Sequence, residues 1–353
     1  MMRITSSSTS SSEAAENPAR VQWLRFAVTL VGVTLALLAA VVGVAYAVDP
    51  YDTGRSTLFE KPGVRPQGPR TANPSRGRDP AFNAAITGNS RIQIISPERL
   101  KATTGVDFVQ LAVPGSGPKE HLALIDWFLR HRTETPKALV VSIDDMWCTS
   151  NPDLPNDKPF PFWLYSADPM EYARGLLRYD ILEELPRRLA YIFQGDPERA
   201  RPDGYWDYEP DYIRLGYTND PALRKRLEET PHSDAQLLDR DPQEGQRRFP
   251  ALDRLKKVAA SLPEETALIL VMPPSYKNRL LPGAEQAFVD RACKAAISTV
   301  AQAHARSAVV DWRVDRSENR NPEFFFDTVH YRQPVAQAME VDIADAIRHV
   351  ASF

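Results

Sequence analysis

Three residues far apart in the chain have the types that an activated hydroxyl requires. Ser90 follows a short apolar run within NAAITGNSRIQ, closing Thr87-Gly88-Asn89-Ser90-Arg91, while Asp327 and His330 stand three apart in EFFFDTVHYRQP. A serine hydroxyl alone is a weak nucleophile: a base must take its proton, and an acid must orient the base. A spacing of three inside one turn can set the Asp327 carboxylate against the His330 imidazole and leave the other ring nitrogen facing outward. Among six histidines, this is the one with an acid at such a spacing in an apolar, aromatic stretch that precedes a helix. Plainer readings stay open: TGNSR as a simple turn, and Asp327 as a helix cap beside a surface histidine.

A third stretch, VQLAVPGSGPKEHLALIDWFL, runs through Pro114-Gly115-Ser116-Gly117-Pro118 into a helical pattern. Glycine lets a backbone N–H come close to a ligand, so Gly115 is the candidate oxyanion donor beside the amide of Ser90. Lys119 and His121 begin an amphipathic helix and are expected to face solvent. Arg91, directly after the serine, is a candidate contact for an acidic sugar, although an arginine at the start of a loop is ordinarily solvated or paired.

These residues need a frame to hold them. Apolar, β-rich runs occur at 84–88, 107–113, 138–144, 266–272 and 307–312, and helical patterns at 119–132, 249–262, 283–305 and 334–350. Strands that read as continuous apolar runs are buried on both faces, which implies a parallel sheet covered by helices. The expected fold is a three-layer α/β sandwich over 81–350. Residues 147–248 interrupt the alternation with prolines and aromatics and lack a clear buried strand, though 170–193 reads as helical. This interval is expected to be an insertion over the carboxyl ends of the strands, where α/β folds bind ligands. Its aromatics suit either simple packing or a sugar-binding lid.

The amino-terminal part follows different rules. Residues 5–19 are small and polar, so a disordered cytoplasmic tail is expected over 1–25. Phe26 to Val48 carries no charge and is long enough to cross a bilayer, with Trp23 and Tyr46 near its ends. Ala45-Tyr46-Ala47 also resembles a signal cleavage site, but the long polar lead and long apolar core favour an uncleaved anchor. Basic residues are balanced around it: Arg3, Arg20 and Arg25 before, Arg55, Lys61 and Arg65 after. The expected topology is therefore that of a single-pass signal anchor in the inner membrane, with the large domain on the periplasmic side. Residues 49–80 read as a Pro/Gly/Arg-rich tether.

The 353-residue chain carries a net charge of −3, which gives no basic footprint for nucleic acid. Cys148 and Cys293 are its two cysteines. They would pair in an oxidising compartment, but their apolar surroundings favour two buried free thiols. No ligand spacing, Gly-x-Gly-x-x-Gly or Walker pattern occurs, so neither a metal nor a cofactor is implied.

Taken in order, TGNSR after the first strand, AVPGSG after the second and DTVH near the end resemble the SGNH/GDSL hydrolase superfamily. The likeness is greatest to the membrane-anchored SGNH-like proteins of bacterial envelopes (DltD-like and AlgX/AlgJ-like), which act on cell-wall polymers or exopolysaccharides. It covers residues 81–146 and 264–350, and implies a flavodoxin-like sheet with Ser90 as nucleophile, His330 as general base, Asp327 as its orienter and Gly115 as an oxyanion donor. Two positions depart from the pattern. Asn89 stands where the family has the aspartate of Gly-Asp-Ser. Asp144, in VSIDDMWC, falls where an oxyanion-binding asparagine is expected, so Asn89 is the substitute amide donor, and Asp144 either points elsewhere or is protonated. The implied function is a serine esterase or O-acyltransferase acting on an acylated envelope glycan. The alternatives are a catalytically silent polysaccharide-binding or scaffold subunit of an envelope export complex and a purely structural anchor.

Overall fold

A computed structural model describes residues 18–59, 61–63, 68–154, 158–194, 201–230, 241, 243, 245–278 and 284–351. The expected disorder of the amino terminus falls largely on residues 1–17, outside the described residues. From Pro18 onward the chain is helical, so the last eight residues assigned to the tail belong to the long helix instead.

The elements run α1 (Pro18–Val48), α2 (Pro69–Arg78), β1 (Ala84–Thr87), α3 (Pro97–Thr104), β2 (Phe108–Gln110), α4 (Pro118–Arg130) and β3 (Ala138–Ser142). The insertion then supplies α5 (Phe162–Tyr165), α6 (Pro169–Gly175), α7 (Tyr179–Gln194), α8 (Glu209–Leu215) and α9 (Pro221–Glu228). After it come α10 (Pro250–Ser261), β4 (Ala267–Met272), α11 (Ala284–Ala301), β5 (Ser307–Asp311) and α12 (Gln333–Val350). α1 is long and apolar enough to cross a membrane, and an 18-residue apolar window of it is uncovered by the rest of the chain, while Ala45 and Val48 near its end are buried.

The five strands form one all-parallel sheet in the order β2-β1-β3-β4-β5. Ala84 pairs with both Phe108 and Ala138, and Ala138 with Ala267, so β3 lies at the centre with β1 beside it. Side chains alternate across the pleat. Ile86, Val140 and Ile269 face one way, toward Ile343 and Ile347 of α12 and Leu100 of α3. Ala85, Leu139 and Leu268 face the other, toward Ile125 of α4, Leu255 of α10 and Ile297 of α11. Burial on both faces is why these strands read as unbroken apolar runs. Each fully buried Ile, Leu or Val contributes about 1.5–3 kcal/mol.

The described residues of 49–80 are no free tether. Asp52 is buried and accepts hydrogen bonds from Gly63 N (2.8 Å), Ser75 Oγ (2.6 Å) and the Arg78 guanidinium, with Arg188 of α7 at 3.4 Å. Within α2, Pro74 O accepts from Trp127 Nε1 at 3.0 Å, and Asn73 Nδ2 donates to Leu111 O at 3.0 Å. The segment is held largely by polar contacts, with Tyr51 and Ala72 buried beside them, and so its composition looked like that of a linker.

The cysteines also depart from expectation. Cys148, in the 3-10 turn after β3, forms a disulfide with Cys293 of α11, with Cα atoms 5.6 Å apart and a sequence separation of 145. Cys293 is fully buried and Cys148 partly so, both against the same sheet face.

Candidate active site

Gly88 directly follows β1 with φ +154°, and a Cβ there would stand 2.6 Å from Ser142 Cβ and 2.8 Å from Ile92 Cγ2. Only glycine lets the chain leave the sheet so close to β3. The turn that follows lifts Ser90 to the carboxyl end of the sheet, half-buried. The opposite wall is a tight loop. Phe325 and Tyr331 form an antiparallel bridge, Phe326 N donates to His330 O at 2.7 Å, and Asp327 Oδ1 accepts from the amides of Val329 and His330, both at 2.8 Å.

That loop leaves Asp327 Oδ2 at 2.8 Å from His330 Nδ1, and His330 Nε2 lies 2.7 Å from Ser90 Oγ. Burial alone would raise the Asp327 carboxyl, but the His330 hydrogen bond and charge, with the two amides, outweigh it and hold the group below the usual carboxylate value. A carboxylate only accepts, so Nδ1 carries the hydrogen and Nε2 is free to accept from the serine hydroxyl. The ring is also steadied by the insertion: Tyr212 of α8 has its ring centroid 6.2 Å from that of His330 and stacks on Phe326 at 5.0 Å. Glu209 of α8 holds Arg332, two residues beyond the histidine, at 2.8 Å.

The other candidate residues divide. Gly115 sits at φ +65° in the loop after β2, exposed, and neither its N–H nor that of Ser90 has an acceptor among the described residues. Asn89 is committed elsewhere. Its Nδ2 donates to Asp144 and, at 3.3 Å, to Ser116 O, and its Oδ1 accepts from Arg91 N at 3.0 Å. Both amide hydrogens are used, so the expected role as a substitute oxyanion donor is not available to it in this arrangement. Asp144 is buried, points at Asn89 and also accepts from Met146 N at 3.0 Å, capping the 3-10 turn of residues 145–148. Desolvation is the main reason its carboxyl is raised, with the neighbouring Asp145 adding to it.

Arg91 is a buried staple rather than an open hand. Its guanidinium reaches Asp145 at 2.8 Å, Pro274 O at 2.9 Å and Pro273 O at 3.2 Å, tying the serine turn to the loop after β4. It shares a cavity of about 200 Å³ with Arg313 and Asp290 beside Thr328 and Val329.

Several contributors were not singled out from sequence as site residues. Lys158 lies over Gly115, its Nζ 3.0 Å from where a Cβ would stand. Tyr212 and Glu209 come from the insertion, whose aromatics gave no sign of which would face the histidine. His121 does not face solvent as expected: it is fully buried, and its Nε2 lies 2.9 Å from Ser116 Oγ. Both flank the Gly115 loop, and a glycine pair before a helix was the only signal that pointed there.

Neither models of known protein families nor curated protein sequences match the chain.

Proposed function

We propose that this chain is a membrane-anchored serine esterase or O-acyltransferase of the SGNH-like kind, acting on an acylated cell-envelope glycan or exopolysaccharide. The observation that carries the reading is the relay of Asp327, His330 and Ser90, with contacts of 2.8 and 2.7 Å, assembled from residues 240 positions apart at the carboxyl end of a parallel sheet. The strand order 2-1-3-4-5, with helices on both faces, supports a flavodoxin-like three-layer sandwich. The glycan as substrate rests on the resemblance of TGNSR, AVPGSG and DTVH, and the extracytoplasmic side on a single amino-terminal span acting as a signal anchor.

In this reading the Ser90 oxygen attacks the ester carbonyl while its proton passes to His330 Nε2, and Asp327 stabilises the imidazolium. The amides of Ser90 and Gly115 are the donors for the developing oxyanion. Collapse breaks the ester C–O bond, His330 returns the proton to the departing alcohol, and the acyl group stays on Ser90. Water, or a sugar hydroxyl, then repeats the sequence in reverse, giving an acid or a new ester.

The experiment is fluorophosphonate labelling of the full chain, with the adduct located by peptide mapping. Labelling at Ser90 that is lost in Ser90→Ala and His330→Ala supports an activated serine. A folded native chain that takes no label overturns the enzymatic reading and leaves the polysaccharide-binding one.

A further inference from the structure

The helix α7 carries two apolar stripes, and only one is covered. Ile181, Leu185 and Tyr191 turn inward, Ile181 and Leu185 packing with Tyr172, Leu176 and Ala45. Tyr179, Leu182, Pro186, Leu189 and Phe193 recur at three- and four-residue spacing along the other side. Of these, Tyr179 is 72% exposed, Leu182 53% and Phe193 73%. Met170 and Leu177, just before α7, are exposed as well. The stripe is about 21 Å long, at 1.5 Å per residue.

What lies beside this helix identifies what covers it. Ala45, inside the uncharged run Phe26–Val48, is fully buried by the domain, and Val42 packs against the same cluster as Ile181 and Leu185. The run of 23 residues is about 35 Å long against a hydrocarbon core of about 30 Å, so Val42 and Ala45 fall in the last 10 Å or so, where acyl chains meet headgroups. A helix packed on those residues lies at that same depth. Tyr46 is 6.2 Å from Tyr172 in an edge-to-face pair, and Phe59 meets Phe193 at 5.8 Å, which adds aromatic side chains of the kind that favour the interface. Acidic and basic residues are nearly balanced on α7, Asp180, Glu183 and Glu184 against Arg187 and Arg188, so apolar area rather than charge would hold it.

We infer that α7 is an interfacial helix that lies along the bilayer surface beside the end of α1, with Tyr179, Leu182 and Phe193 inserted at the acyl boundary. The domain then stands on the membrane at two places, a span and a surface helix, instead of swinging on a tether. The same packed cluster continues to Val113 in the loop after β2, two residues before Gly115, so packed side chains connect the surface helix to the candidate site.

The test uses the full chain in phosphatidylcholine vesicles. Leu182→Cys and Phe193→Cys, labelled with bimane, are compared with Leu35→Cys in the span and with Lys257→Cys on exposed α10. Vesicles with brominated acyl chains are expected to quench the labels at 182 and 193 to an extent close to that at 35, and to leave 257 unchanged. In the unsubstituted chain, a phosphatidylcholine bearing an acyl-chain diazirine is expected to give adducts on 177–193 as well as on α1. Adducts confined to α1, or labels at 182 and 193 quenched no more than at 257, overturn the inference. Labels shielded from aqueous iodide but untouched by lipid bromine also overturn it, since a protein or a second copy would then cover the stripe.

Discussion

Two serine–histidine pairs lie within one sheet end of this molecule, and their contacts are nearly the same length. Ser90 meets His330 at 2.7 Å, and Ser116 meets His121 at 2.9 Å. The hydrogen bonds run in opposite directions. Ser116 Oγ spends its single hydrogen on Val113 O at 2.6 Å, so His121 Nε2 must donate to it, and His121 Nδ1 is left buried without a partner. No acid among the described residues orients that ring, and burial pushes its pKa down to about 3. His330 has Asp327 on Nδ1 and therefore accepts at Nε2. The difference teaches that residue types and distance do not make a nucleophile: the third group decides the direction of the proton. The inner pair acts as a prop, since the Ser116 carbonyl holds Asn89 beside the serine.

The largest effect that can break this comparison is at the outer pair. Ser90→Ala or His330→Ala is expected to lower fluorophosphonate labelling and ester cleavage roughly 10³-fold or more, with the melting temperature little changed. An adduct mapped to Ser116 in the native chain would show the assignment of roles to be wrong. Asp327→Asn keeps the shape but presents an amide to Nδ1, and is expected to cost roughly 10³–10⁴-fold in the same assay through the wrong tautomer.

At the inner pair the effects should appear in stability. His121→Ala is expected to lower unfolding free energy by about 2–4 kcal/mol in denaturant titration, while the labelling rate of folded molecules stays within a few-fold. The pH dependence has a definite sign. Below pH 6.5 the unfolded chain binds a proton at residue 121 that the folded chain refuses down to about pH 3, so its contribution is fully present above pH 6.5 and lost as pH falls. Between pH 6.5 and 5 this amounts to about 2 kcal/mol, and His121→Gln should remove that slope. Asp327, also depressed, adds a loss in the same direction only below its usual value of 3.8. The smallest effect is expected for Ser116→Ala, about 1 kcal/mol of stability with labelling unchanged.

Much of the scaffold was legible as a linear pattern. The run at 84–88 became Ala84–Thr87, that at 266–272 became Ala267–Met272, and the pattern at 334–350 became Gln333–Val350. Strands buried on both faces and helices with one apolar face must announce themselves in local composition. The pairing of Asp327 with His330 was legible for a related reason, since both groups lie in one turn. The covered state of 49–80, the burial of His121 and the disulfide were not, because each depends on partners supplied from elsewhere in the chain.

The sequence by itself thus determined the parallel α/β alternation, a helix able to span a membrane and the three-residue spacing of acid and base, all of which are properties of neighbours along the chain. Only the tertiary structure decided that Ser90 and not Ser116 faces an accepting imidazole. It also decided that Asn89 is spent on Asp144 and that the presumed tether is folded onto α4 and α7. Those outcomes turn on where hydrogen-bond donors and acceptors end up after residues tens to hundreds of positions apart are packed together, and a hydroxyl or an amide carries no mark in sequence of the partner it will meet.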